Sequence, residues 1–287
     1  MMTWVEVKDG ILLALSAIRA NKLRASLTIL GVTVGVASVI GMASIVDGLD
    51  GAMDEEIDEL GSNVIWITRF PPNTNRDELT DEERNRPPIT VGEARAIQES
   101  CVFVEGVSPQ NYYFQPGGNE VKYGNRKFSQ PRFFGTWPDY KTVNNKSVGQ
   151  GRFLNGTDEQ FRLMNCVLGY DVARILFEGE NPIGREIRVN GNKFEVVGVL
   201  EEVSSNFGND DVNRSVIIPL STFEKLHPFE EALFLAARAV SYEAIQDAMD
   251  EITGVLRNYR KVPFGKGDNF ALATQDQFKD IIGNITK

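Results

Sequence analysis

An uninterrupted apolar stretch, ASLTILGVTVGVASVIGMASIV from Ala25 to Val46, constrains the fold of this chain most strongly. Its 22 residues carry no charged side chain, and as an α-helix rising about 1.5 Å per residue they would extend roughly 33 Å. That length crosses a bilayer core of about 30 Å. A cleaved signal peptide would have an apolar region of about 7 to 15 residues after a short basic start, whereas 24 residues precede this stretch. The sequence therefore predicts one transmembrane helix over residues 25–46.

Charges on either side of this helix predict its orientation. Four basic side chains precede it, and seven acidic side chains follow it before the next basic residue, Arg69. The basic side of a membrane helix stays in the cytoplasm. We therefore expect a single-pass protein of the inner (cytoplasmic) membrane, with a cytoplasmic N-terminus and with residues 47–287 periplasmic or otherwise extracytoplasmic.

The segment before the span, residues 1–24, has apolar side chains at helical spacing from Trp4 to Ile18. Such a helix can lie along the cytoplasmic membrane interface, with Trp4 at the depth of the lipid headgroups. The alternative is a lead-in that packs only on protein. We interpret residues 1–24 as a cytoplasmic interfacial helix that contacts membrane lipid.

Small residues recur along the predicted membrane helix in two small-xxx-small pairs, Gly31 with Gly35 and Ala37 with Gly41. Small side chains let a second helix approach closely, because packing rather than the hydrophobic effect drives helix association in lipid. Glycine is also common in membrane helices that make no specific contact. We interpret these four residues as a helix-packing surface.

The helical pattern continues beyond the membrane span through residues 47–62. Its apolar positions are Leu49, Met53, Ile57 and Leu60, and Gly61 is a typical residue to end a helix. The sequence therefore predicts a helical stalk that prolongs the membrane helix outward.

Two β-α-β patterns lie at the two ends of the extracytoplasmic region, in residues 63–110 and 214–287. In the first, Thr90 and Glu93 have the spacing of a capping box. In the second, Ser241 is predicted to cap a helix with apolar residues at i, i+3, i+4 and i+7 spacing, which are Tyr242, Ile245, Met249, Ile252, Leu256 and Tyr259. Two such units indicate a split, ferredoxin-like arrangement, a porter-like subdomain.

Residues 111–213, between the two units, contain many short strand patterns. The clearest is REIRVNGNKFEVVGV, in which Asn190-Gly191 separates two alternating segments, a strong signal for a β-hairpin. We therefore predict an α+β fold with one N-terminal transmembrane helix. Its extracytoplasmic ferredoxin-like (split β-α-β) layer would carry residues 111–213 as an inserted, mainly-β subdomain.

Composition argues against several functional classes. With 30 Lys+Arg against 40 Asp+Glu, the net charge of -10 disfavours binding to nucleic-acid phosphates. Two cysteines, Cys101 and Cys166, are too few for a disulfide framework or a cysteine-built zinc site; two buried thiols and one bridge both stay open. One histidine, His227, gives little material for a catalytic triad or a metal centre. We assign no catalytic residue, no cofactor and no metal site.

Three segments carry a family resemblance, and they are Arg19–Gly48, Val167–Glu202 and Val216–Leu226. They resemble MacB-type ABC transporter permeases, in the order found in that family. Val167–Glu202, VLGYDVARILFEGENPIGREIRVNGNKFEVVGVLEE, resembles part of the family's periplasmic core domain. Arg19–Gly48 looks like the family's first membrane helix, and Val216–Leu226 resembles a later strand-helix step. The family-motif positions in the turn and hairpin are Asn181, Pro182, Gly184, Asn190, Gly191 and Gly198.

The resemblance implies a dimeric permease, a homodimer or heterodimer, that transmits motion to its extracytoplasmic domain for export or extraction of a substrate. A cytoplasmic ABC ATPase subunit would power it, and a periplasmic adaptor could take part. No G-x-x-x-x-G-K-[ST] phosphate loop occurs here, so ATPase activity would lie in a partner and this chain would not be an enzyme.

The family also has three further membrane helices after its core domain. We therefore expect either a truncated permease or a permease fragment that needs the remaining helices or a second permease chain. The rival hypothesis is a single-span, membrane-anchored sensor or binding module without a transport role. Membrane segments or an ATPase gene encoded downstream would favour the permease.

Overall fold

The computed structural model describes residues 20–59, 63–71, 74, 79–114, 116–203, 212–229 and 233–274, with the backbone alone at residues 43, 45–59 and 82. The helices in these ranges are α1 Lys22–Glu59, α2 Asp81–Arg84, α3 Val91–Ser100, α4 Tyr140–Val143, α5 Gly156–Gln160, α6 Tyr170–Phe177, α7 Leu220–Leu226 and α8 Ile245–Tyr259. The strands are β1 Val64–Thr68, β2 Val104–Tyr113, β3 Glu120–Tyr123, β4 Arg126–Ser129, β5 Arg132–Thr136, β6 Val148–Gly151, β7 Asn165–Leu168, β8 Glu186–Val189, β9 Asn192–Leu200, β10 Ser215–Pro219, β11 Leu233–Ala239 and β12 Ala271–Thr274. The chain divides into two compact units, Met1–Glu55 and Glu56–Lys287.

The first unit is dominated by α1, a continuous helix of 38 residues. Its stretch Lys22–Met42 is long and apolar enough to cross a membrane, with a mean hydropathy of 1.9, and none of it is buried. Two of its hydroxyl groups bond within the helix: Ser26 Oγ donates to Leu23 O at 3.0 Å and Thr28 Oγ1 donates to Arg24 O at 2.9 Å. These bonds satisfy the hydroxyls where lipid would offer no partner.

The predicted membrane and stalk segments are therefore both helical and continuous as far as Glu59. An interfacial helix was predicted for residues 1–24, of which residues 1–19 lie outside the described residues. Leu60 and Gly61, at the end of the predicted stalk, also lie outside them.

The second unit contains the predicted split β-α-β arrangement. The four strands of this arrangement lie in the order β12-β1-β11-β2, and each neighbouring pair is antiparallel. β1 and β2 therefore run in the same direction on either side of β11 and are connected through α3, while α8 connects β11 to β12. This order confirms the predicted ferredoxin-like layer.

Both helices of this layer bury apolar side chains with the sheet. α3 packs against β2 and α8, and α8 also contacts β1. The main buried side chains here are Ile65, Ile67, Ile97, Val107, Leu235, Ala248, Ile252 and Leu256. The capping box at the start of α3 is confirmed, because Thr90 Oγ1 accepts from the Glu93 backbone N–H and the Glu93 carboxylate accepts from the Thr90 N–H.

The start predicted for α8 was wrong. The helix begins at Ile245, not directly after Ser241. Ser241 Oγ accepts a hydrogen bond from the Ala244 N–H at 3.3 Å, which stabilises a turn ahead of the helix. The aromatic rings at both ends of the predicted apolar stripe, Tyr242 and Tyr259, are 56% and 50% exposed.

The sheet continues from this layer into the residues predicted as an insertion. Beyond β2 the order is β5-β10-β7-β9-β8-β3-β4, with β6 paired to β9. β10 is parallel to β5, and β7 is parallel to β9, so the sheet is mixed. β2 runs from Val104 to Tyr113, and the subdomain boundaries at residues 110/111 and 213/214 stay predictions.

Candidate functional site

The predicted helix-packing surface lies on the exposed part of α1. Gly31, Gly35, Ala37 and Gly41 are all exposed. A Cβ built on any of the three glycines meets no described atom within 4 Å. These positions are therefore accessible to a second helix, and their role in helix packing stays a prediction.

The stalk residues Leu49, Met53 and Ile57 lie on the continuous helix α1. Their spacing of four residues places them along one side of it. Their side chains are not described, and Leu60 is outside the described residues. Their role as a stalk stays a prediction.

The family-motif residues at 181–184 form a tight turn before β8. Asn181 Oδ1 accepts from the Ile183 N–H at 3.0 Å, and the Gly184 N–H donates to Val196 O at 2.8 Å. Gly184 has a φ of +76°, a region that glycine adopts without steric cost. The turn therefore fastens the start of β8 to β9.

The predicted Asn190-Gly191 hairpin is confirmed. β8 pairs antiparallel with β9, with Val189 opposite Asn192, and the two turn residues have φ values of +50° and +88°. Positive φ at both central residues is the geometry of a type I′ turn. Asn190 also binds β3, because its Oδ1 accepts from the Glu120 N–H at 2.9 Å.

The last motif residue, Gly198, is required by a close backbone approach. A Cβ at this position would lie 2.0 Å from the carbonyl oxygen of Arg152. Arg152 in turn binds Asp158, at 2.6 Å from Nη1 to Oδ2 and 3.0 Å from Nη2 to Oδ1. Gly198 therefore lets the loop before α5 lie directly against β9.

Asp158 is the centre of a polar cluster that the sequence patterns did not lead us to expect. Besides Arg152, it accepts from the Asn155 N–H at 2.9 Å and from Asn165 Nδ2 at 2.8 Å. Burial raises the pKa of Asp158, but these hydrogen bonds and the guanidinium outweigh it and hold the pKa below its usual value. The pattern Asn155-x-x-Asp158 is a capping-box variant, which spacing alone could have indicated.

The family-motif residues thus have a common structural role, because they fix the β8–β9 hairpin and its contacts with β3 and the loop before α5.

The sequence also led us to weigh His227, which caps the end of α7 and stacks on Tyr113 at 3.9 Å between ring centroids. Burial lowers the pKa of His227. The histidine is thus held among aromatic rings.

His227 also lines an open cleft of about 500 Å³ together with Glu224 and Asn111. Burial raises the pKa of Glu224. Among the described residues that line this cleft, no third titratable side chain joins these two. Across the described part of the chain, no group of three or more His, Cys, Asp or Glu side chains is placed to hold a metal ion.

Cys101 and Cys166 are free, buried thiols in the structure. Burial, with a contribution from Glu251, raises the pKa of Cys101 to about 11. Burial also raises the pKa of Cys166, with Glu195 nearby. Of the two alternatives left open by the sequence, the structure has two thiols rather than a bridge.

This chain combines an apolar helix, a split β-α-β layer and the motif hairpin, and comparison with known families finds a match to one of them. The sequence model of that family, described as the MacB-like periplasmic core domain, matches residues 25–255. This chain belongs to the MacB-like family. The predicted resemblance is therefore confirmed.

Two relatives illustrate how much of the family's proteins this chain spans. The macrolide export ATP-binding/permease protein MacB of Bdellovibrio bacteriovorus is 26% identical over 254 residues, which are 88% of this chain and 38% of that protein. An uncharacterized ABC transporter permease of Methanocaldococcus jannaschii is 27% identical over 288 aligned positions, and the alignment covers 98% of this chain and 65% of that protein. This chain therefore spans less than two thirds of the length of either relative.

A solved structure shows the same fold. The periplasmic region of MacB from Actinobacillus actinomycetemcomitans matches with a TM-score of 0.63 at 20% sequence identity. The match covers 80% of this chain and 97% of that structure. The MacB-like assignment therefore rests on sequence and fold together.

Proposed function

We propose that this chain is a permease subunit, or a fragment of one, in a MacB-like ABC transporter. A cytoplasmic partner would hydrolyse ATP, and the chain would convert that hydrolysis into movement of its extracytoplasmic domain for export or extraction of a substrate. The catalytic work would lie in the partner, so this chain would act mechanically rather than as an enzyme.

The continuity of α1 carries this proposal. The helix runs from Lys22 to Glu59 without a break, so that one element contains both the apolar span and the acidic stalk. In its described apolar stretch no ionisable side chain lies between Arg24 and Met42, whereas a substrate or proton path through a membrane is marked by such groups. Transmission along the helix therefore fits better than conduction beside it.

The same proposal specifies the partners and the location. The first partner is a cytoplasmic ABC ATPase subunit. The second is either the remaining permease helices or a second permease chain, in a homodimer or heterodimer. A periplasmic adaptor could take part as well. The exposed small residues of α1, Gly31 and Gly35 among them, would receive a neighbouring membrane helix. The chain would lie in the inner membrane with its N-terminus in the cytoplasm.

The decisive experiment kinks the helix between its two parts. The full chain is reconstituted in lipid vesicles with the ABC ATPase and any permease segments encoded beside its gene, and a fluorophore on the extracytoplasmic domain reports its movement. In Ala52→Pro, proline removes one backbone hydrogen bond and costs about 3 kcal/mol or more. Ala52→Gln is the matched control, because glutamine is a good helix former.

We expect ATP hydrolysis to persist in Ala52→Pro while the ATP-dependent fluorescence change falls well below that of wild type and of Ala52→Gln. A wild-type fluorescence change in Ala52→Pro, with the kink confirmed, would mean that the helix is only a tether. If hydrolysis never changes the fluorescence of the wild-type chain, the single-span sensor becomes the better hypothesis.

A further inference from the structure

Two neighbouring loops at one edge of the ferredoxin-like layer expose an apolar patch. The loop from α3 to β2 contributes Val102 and Phe103, and the loop from β11 to α8 contributes Val240 and Tyr242. Their side chains are 79%, 38%, 52% and 56% exposed, respectively. The Val240 N–H donates to Phe103 O at 3.0 Å, so the two loops form one surface, which we call the edge patch.

The edge patch is held in place by the fold. The backbone N–H groups of Val102 and Phe103 both donate to Glu251 Oε2, each at 2.9 Å. Glu251 lies on α8. Cys101, the residue before Val102, is buried in the core. A prearranged surface loses little conformational entropy on binding, so these exposed side chains are suited to a contact.

Hydrogen bonds also join Asn63, which directly precedes β1, to the residue before the edge patch. The Ala239 N–H donates to Asn63 O at 2.9 Å, and Asn63 Nδ2 donates to Ala239 O at 2.6 Å. Val240, the next residue, already belongs to the patch. Asn63 lies four positions after the last residue of α1.

Acidic side chains are frequent in the two chain segments that carry the edge patch. Within five positions of its four residues, the acidic residues are Glu99, Glu105, Glu243 and Asp247, and Glu251 is bound to it. The one basic residue in the same interval is Arg238, whose Nε lies 3.1 Å from Glu105 Oε2. The chain segments that carry the patch therefore have more acidic than basic side chains.

We propose that the edge patch docks a protein partner that carries an apolar face bordered by lysine and arginine. Apolar burial would supply affinity, and opposite charges at the rim would supply orientation and speed of association. A second copy of this chain is a poor occupant of this patch, because the same acidic residues would face each other across the contact. An anionic lipid surface is disfavoured for the same electrostatic reason. The proposal does not depend on the transport function.

The test uses the full chain in phosphatidylcholine nanodiscs and a synthetic probe. The probe is an amphipathic helical peptide with a leucine stripe bordered by lysines, and its matched control has glutamate at every lysine position. Val240→Cys is labelled with an environment-sensitive fluorophore, and labelled Phe264→Cys is the control position, because Phe264 is fully exposed on another loop. The native thiols are buried and should not be labelled.

We expect the lysine peptide to change the emission at position 240 and not at 264, and to bind about tenfold more tightly than the glutamate peptide. Glu243→Lys with Asp247→Lys should weaken binding at least severalfold, whereas Glu202→Lys, an exposed carboxylate outside the patch, should not. Equal responses at the two labels, or equal affinities of the two peptides, would overturn the proposal. A response at 240 to protein concentration alone, or to anionic lipid alone, would identify a second copy or the membrane as the occupant instead.

Discussion

Arg260 and Glu93 form an ion pair whose side chains are only 4% and 2% exposed, and it joins the two β-α-β units of the layer. Glu93 belongs to the capping box of α3, and Arg260 follows the end of α8. The guanidinium also donates to the carbonyl oxygens of Pro87, Pro88 and Asn269. The arginine therefore donates to acceptors from both β-α-β units at once.

Replacing Arg260 should strongly destabilise this unit. Arg260→Met would leave the Glu93 carboxylate buried without its counter-ion, a change that costs about 3–5 kcal/mol. The free energy of unfolding of the full chain, from denaturant titration, measures this loss. Arg174→Met is the control, because the Arg174–Asp171 pair at 2.6 Å has a 62% exposed arginine and should contribute less than about 1 kcal/mol. Similar small losses in both variants would show that the buried pair has no special weight.

Two glycine substitutions should have opposite effects on stability. In Gly198→Ala the new Cβ would lie 2.0 Å from Arg152 O, and the strain should cost about 1–3 kcal/mol. In Gly254→Ala the Cβ meets no described atom within 4 Å and lies inside α8, where alanine should stabilise by about 0.5–1 kcal/mol. Thermal unfolding of the two variants tests this. A neutral Gly198→Ala would contradict the inferred close approach.

Asp158 should make the fold sensitive to acid. Burial opposes its ionised form, but hydrogen bonds from Arg152, Asn155 and Asn165 lower its pKa below the usual 3.8. A lowered pKa contributes stability above the unfolded value, and this stability is lost as the pH falls through the folded value. We expect Asp158→Asn to be less stable at neutral pH and to lose less stability on acidification than wild type, as measured by unfolding free energy against pH. Asp250→Asn, at an exposed position, should follow the wild-type profile.

Local signals in the sequence predicted the features that depend on neighbouring residues. The capping box at Thr90 and the hairpin at Asn190-Gly191 are of this kind, because spacing and turn chemistry decide them. The apolar helix followed from its length. The ferredoxin-like order followed from two β-α-β patterns, since a split β-α-β unit leaves room for a third strand between its two.

Other features depend on residues far apart in the chain and could not be predicted. Glu93 and Arg260 are separated by 167 positions, and nothing near either residue indicates the partner. The edge patch likewise requires two loops to meet through one hydrogen bond, from Val240 to Phe103. The start of α8 was misplaced because Ser241 forms a turn with Ala244, and sequence spacing does not distinguish that turn from a cap.

Both native cysteines should be unreactive in the folded chain. Cys101 and Cys166 are buried, and burial raises the pKa of Cys101 to about 11, so that its thiolate is scarce at neutral pH. Since the thiolate is the reactive form, we expect slow labelling by a maleimide in the folded protein and two reactive thiols after unfolding without reductant. Absence of reactive thiols in the unfolded chain would indicate a disulfide and contradict the structure.

Because the native thiols should be unreactive, labelling of introduced cysteines can measure the orientation of the chain in the membrane. Single cysteines introduced at Ser62 and Ser16 lie on opposite sides of the predicted span, residues 25–46. Because basic residues precede the span and acidic residues follow it, the N-terminal side should be cytoplasmic. In intact cells a membrane-impermeant maleimide should therefore label Ser62→Cys, and it should label Ser16→Cys only after permeabilisation. The wild-type chain controls for Cys101 and Cys166. Preferential labelling of Ser16→Cys in intact cells would show the opposite orientation. Residues 47–287 would then lie in the cytoplasm, and the N-terminal side would no longer face a cytoplasmic ATPase.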